Sequence, residues 1–182
     1  GCKYVFMEAS SHSIHQHRLA GTKLTGALFT NITHEHLDYH NDFNAYIAAK
    51  KGLFDMLPAD AFALTNQDDS HGADMTHDCK AKTLDYALTS MADYRGKIVE
   101  NQLAGLHLHL EGHDLYSKLI GSFNAYNLLA VYAVARELGM EPLEVLTHIS
   151  LLNPPAGRFQ QVEAPDGVTA VVDFAHTPDA LD

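Results

Sequence analysis

Residues 42–69 read DFNAYIAAKKGLFDMLPADAFALTNQDD, and this stretch decides the fold. Its first half places Phe43, Ile47, Phe54 and Leu57 on one stripe at about 100° per residue, which predicts a helix over 42–57. Beyond Pro58 a short apolar run predicts a strand over 61–66, ending in the polar Asn66-Gln67-Asp68-Asp69. A helix that feeds into an apolar strand is the repeating unit of a parallel α/β sheet.

Outward from this stretch the alternation continues. Strands are expected over 4–8 and 26–32, a turn or short helix through Gln16, and a helix over 68–78. Residues 97–119 differ: Leu106-His107-Leu108-His109-Leu110 alternates with period two, with turns expected near Gly105 and Gly112, so an antiparallel meander is expected. Helices follow over 123–138, closed by Gly139 as a C-cap, and over 142–152, before a β-branched strand over 168–172. The fold class expected is α/β, a mostly parallel sheet flanked by helices, with a small antiparallel β side sheet.

The chain has 182 residues, 46% hydrophobic and 19% charged, enough for one domain and a short piece of a second. It begins Gly1-Cys2-Lys3 with no starting Met and reads as an excised piece. No apolar run is long enough to cross a bilayer and no basic-then-apolar leader opens it, so a cytoplasmic protein is expected. Cys2 and Cys79 have neither CxxC spacing nor the density of a disulfide framework, and read as reduced thiols. Twelve Lys and Arg against 23 Asp and Glu give a net charge of −11, which would repel a phosphate backbone. Nucleic acid is therefore not an expected partner, and an anionic nucleotide would need a divalent cation or helix N-termini to offset its charge.

In open parallel sheets, ligands bind beyond the carboxyl ends of the strands. The expected strand ends here are Glu8-Ala9-Ser10-Ser11-His12, then Asn31 through His40, then Asn66-Gln67-Asp68-Asp69, and Asp173-Phe174-Ala175-His176. Lys50 falls near the middle of the apolar stripe of its helix, whereas Lys51 is expected to point well away. An ammonium drawn out of water loses proton affinity, leaving an amine open to nucleophilic use or to carbamylation by carbon dioxide; the alternative is a lysine that snorkels at the helix edge. Glu8 suits Mg²⁺, which prefers carboxylate and phosphate oxygens, or is a solvated carboxylate. Asn124 and Asn127, three apart near a helix start, could meet on one face to hold a ligand, or Asn124 could only serve the helix start. With thirteen histidines in the chain, any single one is a weak candidate ligand. His34, His36, Asp38 and His40 come close to the HxHxDH pattern of zinc hydrolases, but Tyr39 separates the last two, which moves a ligand off the metal.

Taken in order, Met7-Glu8-Ala9-Ser10-Ser11-His12, Gln16-His17-Arg18, His36-Leu37-Asp38-Tyr39-His40, Ala48-Ala49-Lys50, Asn66-Gln67-Asp68-Asp69, Gly121-Ser122-Phe123-Asn124-Ala125-Tyr126-Asn127, Gly157-Arg158 and Asp173 through Leu181 resemble the central domain of the Mur ligases. Within that family the resemblance is to the branch that adds the third stem-peptide residue. It implies a P-loop-type central domain over 1–167 and the start of a C-terminal domain over 168–182. It further implies an ATP-dependent ligase of peptidoglycan synthesis that works as a monomer, away from membranes. The partners implied are UDP-N-acetylmuramoyl-dipeptide, ATP and a diamino acid, meso-diaminopimelate or L-lysine.

By the same resemblance, Lys50, carbamylated, and His36 hold one Mg²⁺ and Glu8 a second, and these are the catalytic residues. Ser10, Gln16 and Arg18 match positions that grip the UDP-muramoyl substrate. Asn124 and Asn127 match positions near adenine, and Arg158, Asp173 and His176 positions near phosphates and ribose. The implied chemistry is attack of a carboxylate on the ATP γ-phosphate, then of an amine on the acyl phosphate.

Phe174 stands where the family more usually has Tyr, and Ala9 where it has Val. No G-x-x-x-x-G-K-[ST] phosphate loop occurs, and the resemblance places that loop upstream; the chain alone is therefore expected to be inactive. Two other readings stand beside the ligase: a zinc hydrolase built on the histidine cluster, and a non-catalytic α/β binding module.

Overall fold

The computed structural model describes residues 1–33, 40, 42–163, 165 and 167–175. The chain divides into two compact units, Gly1–Tyr94 and Arg95–Asp182. The first contains α1 (Ser11–His15), β1 (Gly26–Phe29), α2 (Phe43–Asp55), β2 (Phe62–Asn66), α3 (Gly72–Thr76) and β3 (Lys82–Ala87). β2 pairs in parallel with β1 on one side and β3 on the other, through Leu28↔Leu64 and Leu64↔Leu84. All five residues of β2 are buried, as befits a central parallel strand.

The helix expected over 42–57 is α2. Asp42 caps it, its carboxylate accepting the Ala45 N–H at 2.8 Å, a cap worth ~1 kcal/mol. Tyr46, Phe54 and Leu57 join Ala27, Phe29, Ile32, Ala63 and Met75 in one core cluster, with Phe43, Ile47 and Leu53 packed against it. Phe54 and Leu57 are each 2% exposed, and full burial of such a side chain is worth about 1.5–3 kcal/mol. Amphipathic spacing thus fixes which face of α2 meets the sheet.

Three local expectations change. Residues 4–8 form no strand, and Val5 and Phe6 are 79% and 75% exposed. Their β-branched and aromatic character describes fit to a pleated neighbour, and among the described residues no strand pairs with them. The helix expected over 68–78 shortens to α3, because Asp68 and Asp69 turn their carboxylates onto loop N–H groups. A Cβ on Gly72 would lie 2.2 Å from the Asn66 carbonyl oxygen, so only glycine lets α3 start against the end of β2. β3 was not anticipated, since Lys82 and Asp85 interrupt its apolar pattern.

The second unit opens with β4 (Tyr94–Gln102), whose first residue closes the unit before it. It continues with β5 (Gly105–Leu110), β6 (His113–Ser117), α4 (Ser122–Glu137), α5 (Pro142–Ser150), β7 (Gln160–Glu163) and β8 (Thr169–Val172). β4, β5 and β6 form the expected antiparallel meander. Glu111 and Gly112, with φ of 48° and 85°, make the tight turn between β5 and β6. Leu106, Leu108, Leu110 and Leu115 point into the core, at 2% exposure or less. α4 ends where expected, with Gly139 at φ 88° and the Met140 N–H bonded to the Ala135 carbonyl at 3.1 Å. β7 pairs antiparallel with β8. The α/β class, the parallel sheet with its helices and the antiparallel strands all match the expectation. No helix among the described residues is long and apolar enough to cross a membrane.

Candidate active site

In the first unit the candidate residues that the structure describes lie on α1 and α2 or in the segments flanking α1. Ser10 caps α1: its Oγ accepts the Ser13 N–H at 3.2 Å while its carbonyl accepts from the Ser13 hydroxyl at 2.7 Å. Gln16 closes the helix, and the turn that follows holds His17 at φ 55° and bonds the Arg18 N–H to the Ser13 carbonyl at 2.9 Å. Ser10, Gln16 and Arg18 therefore flank one small helix, as its two caps and the turn that follows. Glu8, two residues ahead of Ser10, is exposed.

Lys50 is half-buried on α2, its Nζ 5.4 Å from the centre of the Tyr46 ring. Lys51 corrects the helical-wheel reading: its side chain is only 24% exposed and pairs with Asp55 one turn on. The Tyr46 ring also stacks on His40, with centres 5.2 Å apart. His40 in turn lies with its Nε2 2.9 Å from the Ser11 hydroxyl, and both of these residues are buried. A chain of contacts thus runs from α1 through His40 and Tyr46 to Lys50. The sequence gives Tyr46 no role, and gives His40 one only as a zinc candidate and as the last residue of the His36–His40 motif. The signal for Tyr46 was its i, i+4 spacing from Lys50. His36, with His34 and Asp38, lies outside the described residues. Among the described residues no three His, Cys, Asp or Glu side chains form a group able to hold a metal ion.

The polar end of β2 is a clamp. Asn66 Nδ2 donates to the Thr30 carbonyl at 3.0 Å and Asp69 accepts the Ile32 N–H at 3.1 Å, tying in the chain beyond β1. Asp68 accepts from the N–H groups of Leu88, Thr89 and Ser90 at 2.8, 2.9 and 2.9 Å and from the Thr89 hydroxyl at 2.6 Å. Partial burial by itself would raise the Asp68 pKa, but the donors from Thr89, Ser90 and Leu88 together hold it well below the usual carboxylate range. The clamp fixes the carboxyl ends of the parallel strands, where a ligand would bind.

In the second unit, Asn124 Nδ2 donates to the Ile120 carbonyl at 2.7 Å, and Asn127 Nδ2 reaches Asn124 Oδ1 at 3.4 Å, so the two amides meet on one face of α4. Phe123 packs edge-on against Phe159, with centres 5.6 Å apart. Asp173 accepts the N–H groups of Phe159 and Ala175 at 2.5 and 2.6 Å, which holds Phe159 at φ 47°. The Arg158 guanidinium lies 5.7 Å from the centre of the Phe174 ring. The loop carrying Arg158 is therefore pinned to the start of α4 by an aromatic pair and to the end of β8 by a carboxylate. The phenylalanine pair was not anticipated. His176 lies outside the described residues.

Residues 1–135 match the Mur ligase middle domain. The chain belongs to that family. Across all of its length it is 50% identical to a Bacteroides thetaiotaomicron protein named UDP-N-acetylmuramoyl-L-alanyl-D-glutamate–2,6-diaminopimelate ligase, covering 38% of that protein. It is 51% identical to the Parabacteroides distasonis protein of the same name, covering 37% of it. The chain thus spans less than two fifths of the length of these relatives. A solved structure of a ligase of that name superposes with a TM-score of 0.78 at 34% identity, over 95% of this chain and 37% of the other. The UDP-N-acetylmuramate-alanine ligase of Thermotoga maritima shares the fold alone, with a TM-score of 0.71 at 22% identity over 86% of this chain and 36% of the other. The Mur ligase match includes the His34 to His40 stretch on which the zinc reading rested.

Proposed function

We propose that residues 1–167 are the middle domain of an ATP-dependent amide ligase and that residues 168–182 open its C-terminal domain. The whole protein would join 2,6-diaminopimelate to UDP-N-acetylmuramoyl-L-alanyl-D-glutamate in peptidoglycan synthesis, as a cytoplasmic monomer. The observation that carries this reading is the 50% identity, across the whole chain, with a relative that bears that activity in its name.

Lys50, as a carbamate, and His36 would hold one Mg²⁺, and Glu8 a second. Of these donors, Glu8 supports the reading: it is an exposed carboxylate, and Mg²⁺ keeps several waters and takes one or two carboxylates plus substrate phosphates rather than an all-protein cage. Bound there, Mg²⁺ would neutralise charge on the transferring phosphoryl group. Ser10, Gln16 and Arg18, at the two ends of α1 and in the turn beyond it, would orient the muramoyl substrate. Its carboxylate attacks the γ-phosphorus of ATP, ADP leaves, and an acyl phosphate forms. The amine of the diamino acid then attacks the acyl carbon and expels inorganic phosphate with loss of a proton. Asn124 and Asn127 would face adenine, and Arg158, Asp173 and His176 the ribose and phosphates.

The test is ligation by the full-length protein with ATP, UDP-N-acetylmuramoyl-L-alanyl-D-glutamate and either diaminopimelate or L-lysine. Diaminopimelate-dependent release of ADP and phosphate is expected, with Lys50→Arg lowering kcat about a hundredfold or more. Full activity in Lys50→Arg would remove Lys50 from the site, and a preference for lysine would overturn the substrate.

A further inference from the structure

We infer that Tyr46 is a positioning residue for Lys50, held in place by His40 and Ser11; this rests on the role proposed above for Lys50. Tyr46 and Lys50 are one turn apart on α2, and long side chains on a helix lean back over the preceding turn. The Lys50 ammonium accordingly lies over the Tyr46 ring, 5.4 Å from its centre, within the reach of a cation–π contact.

The ring is itself fixed. Tyr46 is 4% exposed, stacks on His40 at an interplanar angle of 28°, and packs against Phe43 with centres 6.1 Å apart. His40 is 6% exposed, and its Nε2 meets the hydroxyl of Ser11, which is 2% exposed. The His12 and His15 rings of α1 lie 5.9 and 6.3 Å from His40. A flexible lysine stem is thereby seated on a rigid aromatic surface whose supports run back to the helix capped by Ser10. The same contacts place the proposed metal residue and the proposed substrate helix at a fixed separation, so a shift of α1 would be felt at Lys50 through Ser11, His40 and Tyr46. The seat is the face of the ring, so Phe should replace Tyr46 and Leu should not.

Competitive acetylation of the full-length protein with trace acetic anhydride, read by mass spectrometry, measures Lys50 reactivity against Lys51 and Lys23 in the same sample. Tyr46→Leu should raise the relative reactivity of Lys50 about two- to fivefold, the factor that a partly exposed cation–π contact represents. Tyr46→Phe should leave it at the wild-type value. Equal reactivity in wild type and Tyr46→Leu, or Tyr46→Phe behaving like Tyr46→Leu, overturns the inference. If Tyr46→Leu fails to fold, Ser11→Ala loosens the same ring through His40, and an unchanged Lys50 in that variant overturns it equally. In the full-length ligase, Tyr46→Leu should shift the Mg²⁺ concentration needed for half-maximal rate while Tyr46→Phe stays at the wild-type value; no shift in Tyr46→Leu overturns the inference. Full activity in Lys50→Arg would instead break the ligase role of Lys50 while leaving the labelling result intact.

Discussion

The two units of the chain bury their sheets differently. In Gly1–Tyr94 the central strand β2 is buried at all five positions, whereas in Arg95–Asp182 the residues of β5 alternate between core and outer face. A strand covered on both sides has only its ends for polar groups, and there Asn66, Asp68 and Asp69 close the clamp. A strand covered on one side has a polar face along its length, and β5 uses it for His107 and His109, which both meet Asp114 of β6, at 3.1 and 3.2 Å. The carboxylates differ accordingly. Asp68 gathers backbone donors that hold a loop, while Asp114 gathers surface side chains.

The largest effect that would sharpen this contrast is on burial. Leu64→Ala in β2 and Leu108→Ala in β5, both 0% exposed, should each cost about 2–5 kcal/mol in urea unfolding. His109→Thr, on the outer face of β5, should stay within about 0.5 kcal/mol. If His109→Thr cost as much as Leu108→Ala, the one-sided reading of the second unit would be wrong.

A smaller effect should come from the clamp. Asp68→Asn should cost about 1 kcal/mol at neutral pH, the value of charged hydrogen bonds discounted for the carboxylate's contact with solvent. Because the folded-state pKa of Asp68 is depressed, its contribution is fully present above the unfolded value, near ~4, and is lost as pH falls through the lower folded value. The gap between wild type and variant should therefore be flat from neutral pH down to about 5 and close in stronger acid. A gap that widened in acid would contradict the clamp.

The smallest effect is on Asp114, whose exposed carboxyl is held below the usual carboxylate pKa by hydrogen bonds from His109 and His107. NMR titration should show it ionising below the ordinary range in the wild type and returning toward it in His107→Gln/His109→Gln. An unchanged titration would mean that the two histidines do not act on it.

Much of this was legible in the sequence where the signal is periodic. The stripe of Phe43, Ile47, Phe54 and Leu57 located α2, and the alternation of Leu106 to Leu110 located β5. The spacing of Asn124 and Asn127 anticipated that their amides meet. Where local pattern and pairing disagree, the reading failed. Residues 4–8 look like a strand and pair with none among the described residues, while β3, with Lys82 and Asp85 in its run, is a strand because β2 lies beside it.

What the sequence determined by itself is the order and type of most elements, the family to which the chain belongs, and the residues that could carry the chemistry. These follow from short-range spacing and from motifs that survive as strings of residues. Only the tertiary structure decided the surroundings of Lys50, because Ser11 and His40, which brace its ring, are 29 residues apart in the chain. It also decided that Asp68 clamps the loop at 88–90, 20 to 22 residues further on. Contacts of that span depend on how helices and strands pack, and no local periodicity encodes them.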